Sequence, residues 1–184
     1  MEHSDQDVVA DTRAWLERAV IGLNLCPFAK GVHVKGLVHI AVSPAVEPGD
    51  LLQDLDRELL ELVGMDAHVR ETTLLVAPAA LREFLEFNDF LNLAQRLIRK
   101  RRLQGVVQLP SFHPAYQFSG TAPDDVTNFT NRSPYPTFHL LRESSVERAV
   151  QAFPQAAEIY ETNMRTLRAL GPDGWAALNL GRSK

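Results

Sequence analysis

Three short apolar runs, set between longer amphipathic stretches, limit the fold of this chain more strongly than any other pattern in it. The runs span residues 37–42, 72–77 and 105–109 and are rich in Leu, Val, Ile and Ala. Pro78 and Pro110 directly follow the second and third runs. Short apolar runs bounded by turn residues are typical of strands that are buried on both faces of a sheet.

The stretches around these runs have the apolar spacing of amphipathic helices. Apolar residues recur every three or four positions, which predicts helices over 8–23, 50–63, 79–101, 144–152 and 155–170. Asn88-Asp89 is expected to kink the third of these helices, and Ser144 with Glu147 has the spacing of a capping box. A turn is expected over 31–36.

Alternation of helix and strand predicts an α/β fold, a small mainly parallel sheet with helices packed on it. A ferredoxin-like two-layer α+β sandwich is the alternative. The length of 184 residues predicts a single domain over 1–184.

Composition excludes several classes of protein. The net charge of −4 makes general attraction to nucleic acid or to anionic membranes unexpected. No apolar run approaches the roughly 18 residues of a membrane span. The single cysteine, Cys26, excludes an intramolecular disulfide and a thiolate-rich metal cage. The acidic N-terminal stretch does not resemble a signal peptide, so we expect a cytoplasmic location.

Residues 111–143 differ in composition from the rest of the chain, since they are rich in prolines, aromatics and polar side chains. We expect a short helix to begin over 121–124 and a fourth strand over 137–141, with His139 in the core and most of the rest irregular. A long irregular segment in a compact domain is usually functional or disordered, and the aromatics argue against disorder. The segment leaves the carboxyl end of the third predicted strand, where open parallel sheets bind ligands.

This segment therefore supplies the candidate site. His113 is the candidate general base or acid, and Asp124 or Asp125 is its partner or a ligand of a divalent metal such as zinc, manganese or iron. Arg132 is the candidate anion clamp. The full set of candidate substrate-binding residues is Tyr116, Asn128, Asn131, Arg132, Tyr135 and Arg142. The alternative is a packed loop whose polar groups satisfy its own backbone, with the two aspartates capping a helix.

Cys26 is a second candidate. If a short helix began at Cys26-Pro27, the helix dipole and free N–H groups would lower the pKa of the thiol and make it a nucleophile. In thiol enzymes that use such a Cys-Pro turn a strand precedes the cysteine, whereas here a helix is predicted before Cys26. The chain also has no second cysteine for a dithiol cycle. A buried structural thiol is therefore the favoured interpretation.

Several blocks of the sequence resemble the bacterial domain of unknown function 1415 family. The blocks are residues 24–29 (NLCPFA), 111–114 (SFHP), 124–125 (DD), 130–136 (TNRSPYP) and 140–143 (LLRE). The likeness runs from about residue 12 to residue 152, and it implies a single-domain protein without implying an activity, substrate or cofactor.

Three functions follow from these candidates. The first is an enzyme that hydrolyses a small polar or anionic metabolite or transfers a group to or from it. The second is a non-catalytic ligand-binding or adaptor domain that uses the same pocket, and the third is a thiol enzyme that uses Cys26. The partner expected in each case is a small molecule rather than nucleic acid or membrane. An enzyme requires His113 within hydrogen-bond reach of a carboxylate, directly or through one water, at an open cleft, whereas a binding domain does not.

Overall fold

The chain forms one open mixed sheet with helices packed on both of its faces. The computed structural model describes residues 4–152 and 158–181. In chain order the elements are α1 (Asp5–Trp15), a π-helical segment (Leu16–Ile21), α2 (Ala29–Val34), β1 (Val38–Val42), α3 (Pro48–Gly64), β2 (Thr72–Val76), α4 (Phe84–Lys100), β3 (Val107–Gln108), β4 (Ser111–Phe112), a 3₁₀ helix (Val126–Asn131), β5 (Thr137–Arg142), α5 (Glu143–Ala152) and α6 (Ile159–Ala177).

The strand order makes the sheet mixed, since one of the pairings among its five strands is parallel and three are antiparallel. The order is β1-β2-β5-β3, and β4 also pairs with β5. β1 runs parallel to β2, whereas β5 runs antiparallel to β2, β3 and β4. β1, β2, β3 and β4 therefore share one direction, which confirms the predicted α/β class. The sequence predicted neither the insertion of β5 between β2 and β3 nor β4, which lies in the stretch expected to be irregular.

Neighbouring residues of β2 point to opposite faces of the sheet and belong to different cores. Leu75 packs with Leu55 of α3 and Phe90 of α4 on one face. Leu74 packs with Trp15 and with residues from the end of α6 on the other face. Helices cover both faces of the sheet. The fold therefore has three layers, whereas the ferredoxin-like alternative has two.

α3 shows why the crossover helices form where they do. Pro48 occupies the first turn, where its missing N–H leaves no intrahelical bond unmade. Leu51, Leu55, Leu59 and Leu62 follow at helical spacing, and none of them has exposed surface. Burial of one such side chain stabilises the fold by roughly 1.5–3 kcal/mol, so this stripe fixes α3 on the sheet.

Two predicted helices differ from the structure near their starts or centres. α4 begins at Phe84 rather than at residue 79, and it runs through Asn88-Asp89 without a break. The late start has a local cause, since Leu81 adopts the left-handed backbone conformation with a φ of 53°. The first predicted helix ends as a π-helical segment over Leu16–Ile21.

Two other expectations are corrected, and one is confirmed. A short helix, α2, occupies most of the stretch predicted as a turn over 31–36. The short helix expected from residue 121 begins only at Val126, after a capping residue. The predicted end of the last helix at Leu170 is confirmed, because Gly171 has a non-helical backbone (φ 67°, ψ 177°) and separates two helices within the range of α6. The predicted start of that last helix, residues 155–157, lies outside the described residues.

Candidate functional site

His113 lies in the interior, where backbone groups hold both of its ring nitrogens. The side chain has no exposed surface. Nδ1 accepts a hydrogen bond from the Ala115 N–H at 3.0 Å, and Nε2 lies 3.0 Å from the Leu81 carbonyl. Since a carbonyl only accepts, the hydrogen-bond network assigns the ring hydrogen to Nε2. Phe84 and Phe87 pack against the ring at centroid distances of 5.4 and 5.0 Å. His113 thus ties the loop after β2 to the segment after β4.

The two candidate carboxylates lie near the 3₁₀ helix. Asp125 is its N-cap and accepts hydrogen bonds from the Thr127 N–H at 2.9 Å and from the Thr127 hydroxyl at 2.7 Å. These bonds lower the pKa of Asp125. The side chain of Asp124 is exposed. Within the described residues neither carboxylate makes a direct hydrogen bond to His113.

The predicted anion clamp, Arg132, binds backbone carbonyls. Its Nε donates to the Tyr116 carbonyl at 3.2 Å, and Nη2 donates to the Pro123 carbonyl at 2.5 Å. The guanidinium also lies over the Phe129 ring, 4.9 Å from its centroid. These contacts brace three parts of the irregular segment against one another.

The side chains of Asn128 and Asn131 also form hydrogen bonds within the irregular segment. Asn128 is fully buried, and its Oδ1 accepts from the Phe118 N–H at 2.9 Å and from the Thr121 hydroxyl at 2.8 Å. The Asn131 amide donates to the Ser111 carbonyl at 3.1 Å. The amides therefore satisfy backbone groups that an irregular segment leaves without ladder partners.

Tyr135 and Arg142 point away from that network. The Tyr135 hydroxyl donates to Asp11 of α1 at 2.7 Å, on the face of the sheet that α1 covers. Arg142 Nη2 donates to the carbonyls of Leu62, Met65 and Arg70 at 2.6, 2.8 and 3.0 Å. Arg142 thus joins the end of α3 to the loop that precedes β2, at the sheet edge opposite the carboxyl ends of β1 and β2.

Cys26 lies between the π-helical segment and α2. Phe28 rather than Cys26 is the N-cap of α2, which corrects the predicted helix start. The thiol is half-buried against the cluster around Trp15. Burial raises the pKa of Cys26, and the N–H groups of Phe28 and Ala29 offset only part of that effect.

A cleft opens at the carboxyl ends of β1 and β2, between the first turns of α3 and the outer face of α4. Its volume is about 630 Å³. The loops that follow β1 and β2 supply part of the wall, and the rest comes from the first residue of α3 and from α4. The lining residues are Val46, Glu47, Pro48, Leu81, Glu86, Asp89, Phe90, Leu93 and Arg96. The cleft has the position that ligand sites of open α/β sheets take.

Both loops that form the cleft are held rigidly. After β1, the buried Ser43 hydroxyl donates to Asp54 Oδ2 at 2.5 Å and accepts from the Ala45 N–H at 3.2 Å. After β2, the side chain of Leu81 is 6% exposed although its backbone is left-handed. A bulky residue in that conformation is strained and persists only where its surroundings fix it. Here the bond from His113 to the Leu81 carbonyl supplies one such constraint.

The charges of the cleft are mainly negative. Glu86, Asp89 and Arg96 of α4 fall within about 120° of the helix circumference, given 3.6 residues per turn. With Glu47 they place three carboxylates and one guanidinium around an apolar floor that includes Phe90 and Leu93. Sequence reasoning missed these residues because it searched the loop after the third strand. The available signal was the charged face of α4 beside the end of a buried strand.

Residues 4–152 and 158–181 contain no group of three or more His, Cys, Asp or Glu side chains arranged to hold a metal ion. None of the helices in these ranges carries an apolar stretch of the length that a bilayer span requires.

Comparison with known proteins gives one match. A family model described as "Protein of unknown function (DUF1415)" matches residues 7–177. No curated protein matches. No solved structure matches.

Proposed function

The chain belongs to the DUF1415 family, and we propose that it is a non-catalytic domain that binds a small molecule in the cleft at the carboxyl ends of β1 and β2. The observation that carries this proposal is the cleft itself. It has a volume of about 630 Å³, which is within the range of roughly 300–1,000 Å³ that small-molecule sites occupy. Its two loops are fixed by the buried side chains Ser43 and His113, so the walls need no reordering to receive a ligand.

The lining favours a ligand that combines an apolar body with a protonated amine. Phe90 and Leu93 offer apolar surface, and Glu86 and Asp89 lie beside them on the same face of α4. A cation attracted by these carboxylates would be opposed only by Arg96 among the lining side chains. The sequence predicts a small polar or anionic ligand, and the residue that would bind the anion, Arg132, donates instead to backbone carbonyls of its own segment.

Catalysis by hydrolysis or group transfer is the competing function. It requires His113 to exchange a proton with a ligand and with Asp124 or Asp125. His113 has no exposed surface and donates to the Leu81 carbonyl, which makes it a support for the cleft rather than a proton donor within it. The thiol function requires a reactive Cys26, and burial opposes the thiolate form of that residue.

Calorimetric titration with three matched probes tests the proposal. Benzylamine, benzyl alcohol and benzoate share a ring and differ in charge. We expect benzylamine to bind most tightly and benzoate most weakly at low ionic strength. The double variant Glu86→Gln/Asp89→Asn should weaken benzylamine binding by about fivefold to tenfold, because each carboxylate contributes up to roughly 1 kcal/mol.

A matched pair of remote substitutions provides the control. Glu147→Gln/Asp173→Asn also removes two exposed carboxylates, from α5 and α6, and should leave the affinity for benzylamine unchanged. Equal affinity for all three probes, or equal weakening by the two double variants, would contradict the proposed cleft.

A further inference from the structure

A second concave surface lies at the other end of α4, beside the outer edge of β3. It has a volume of about 540 Å³. Its lining shares no residue with the first cleft and consists of Gln95, Ile98, Gln104, Gly105, Val107, Gln108, Leu109, Pro110 and Glu143. The proposed function does not use this cavity.

The backbone of residues 106–110 leaves hydrogen-bonding groups at this edge. The Val106 carbonyl accepts from Glu143 N–H at 2.9 Å, and the Pro110 carbonyl accepts from His139 N–H at 2.8 Å. These bonds show that the even-numbered residues face β5. Because residues of an antiparallel ladder alternate in direction, Leu109 turns its N–H and C=O away from β5. Neither group has a partner among the described residues.

The side chains around Leu109 are mainly primary amides. Gln108 Nε2 donates to Glu143 Oε1 at 3.0 Å, so one amide is already oriented. Gln95 and Gln104 are exposed and make no hydrogen bond with another described residue. Each primary amide presents two N–H donors and one carbonyl acceptor. The cavity therefore offers donors and acceptors together above the apolar side chains of Ile98 and Val107.

The local charges disfavour ions of both signs. Glu143 is the one charged residue of the lining and would repel an anion. Arg99 lies one turn after Gln95 on the same side of α4, and it would repel a cation. A neutral ligand meets neither penalty.

We propose that this cavity binds a small neutral molecule that carries a carboxamide. The ligand carbonyl accepts from the Leu109 N–H, and the ligand N–H donates to the Leu109 C=O, as an added strand would pair with β3. The amides of Gln95 and Gln104 hold the remaining polar groups of the ligand, and its carbon skeleton covers Ile98 and Val107.

A ¹H–¹⁵N NMR titration of the full chain tests this site. The probes are N-acetylglycinamide, which is neutral, N-acetylglycine, which is anionic, and glycinamide, which is cationic. We expect saturable shifts of the Leu109 backbone signal and of the side-chain NH₂ signals of Gln95 and Gln104 with the neutral probe. For so small a molecule the Kd should be on the order of 10 mM, and the charged probes should bind at least about fivefold more weakly.

Two variants complete the test. Gln95→Leu/Gln104→Leu replaces two exposed amides and should weaken binding of N-acetylglycinamide at least about fivefold with an otherwise unchanged spectrum, whereas Gln6→Leu on the outer face of α1 should not. The proposal is overturned by wild-type affinity of the double variant, by an equal response to all three probes, or by shifts outside this cavity. Since the first cleft shares no lining residue with it, failure here leaves the benzylamine test unaffected.

Discussion

Acidification should destabilise the protein through His139, a partly buried histidine of β5. His139 Nε2 lies 2.6 Å from the Thr72 hydroxyl, which itself donates to the Leu140 carbonyl at 2.8 Å. Thr72 therefore accepts from Nε2, and the ring is neutral. Burial lowers the pKa of His139 from 6.5 to about 4, because the charged ring would lose its hydration in the interior.

The sign and size of the effect follow from proton linkage. Between pH 6.5 and pH 4 the unfolded chain binds a proton at residue 139 and the folded chain does not, so lower pH favours unfolding. The contribution of His139 is complete above pH 6.5 and is lost as the pH falls toward 4. With about 1.4 kcal/mol for each pH unit, the loss by pH 4.5 is roughly 2–3 kcal/mol of unfolding free energy.

Urea denaturation at pH 7.5 and pH 4.5, for the wild type and for His139→Gln, measures this loss. Glutamine keeps a donor for Thr72 and cannot be protonated in this range, so the variant should lose about 2–3 kcal/mol less than the wild type on acidification. Subtracting the loss of the variant from that of the wild type cancels the contributions of the other titrating groups. These include His39, whose pKa is also lowered by burial and by Arg70. Equal pH dependence of the two proteins would refute this assignment.

Three further outcomes follow from single contacts. Arg70→Met should cost about 3–5 kcal/mol in urea denaturation, because it removes the nearest cation of the buried Glu58 carboxylate and leaves only the 3.9 Å contacts with Arg57 and His39. Glu58→Met in the same chain should recover most of that loss, and no recovery would contradict a buried pair. Asp125→Ala should cost about 1 kcal/mol, since it removes the side-chain cap of the 3₁₀ helix; an unchanged Tm would show that the cap adds nothing. Iodoacetamide should modify Cys26 at pH 7 at least about tenfold more slowly in the folded chain than in urea, because burial raises the pKa of the thiol. Equal rates of modification in the folded chain and in urea would support the thiol-enzyme function instead.

The strands were predictable because their signal is local. The run 72–77 corresponds to β2, which is buried along its whole length, and the fourth predicted strand, 137–141, corresponds to β5. The place of β5 was not predictable from the same pattern. Whether a strand of residues 137–142 pairs beside β2 or beyond β3 depends on contacts over more than 60 residues of chain, which periodicity does not contain.

The polar residues of the 111–143 segment were easier to find than their roles. His113 has the residue type of a general base, yet its ring is closed between Phe84 and Phe87 and bonded to the Leu81 carbonyl. That surrounding comes from α4 and the loop before it, which are distant in sequence. The left-handed backbone of Leu81 likewise has no local signal, because leucine rarely adopts it.

The ¹H–¹⁵N spectrum of the protein, recorded during titration with benzylamine, tests the location of the proposed function most directly. We predict that the shifted amide signals are those of Leu81, Phe90 and Leu93, at the carboxyl ends of β1 and β2. Shifts confined to Tyr116 and the residues around Asp124, or to the neighbourhood of Cys26, would contradict that location.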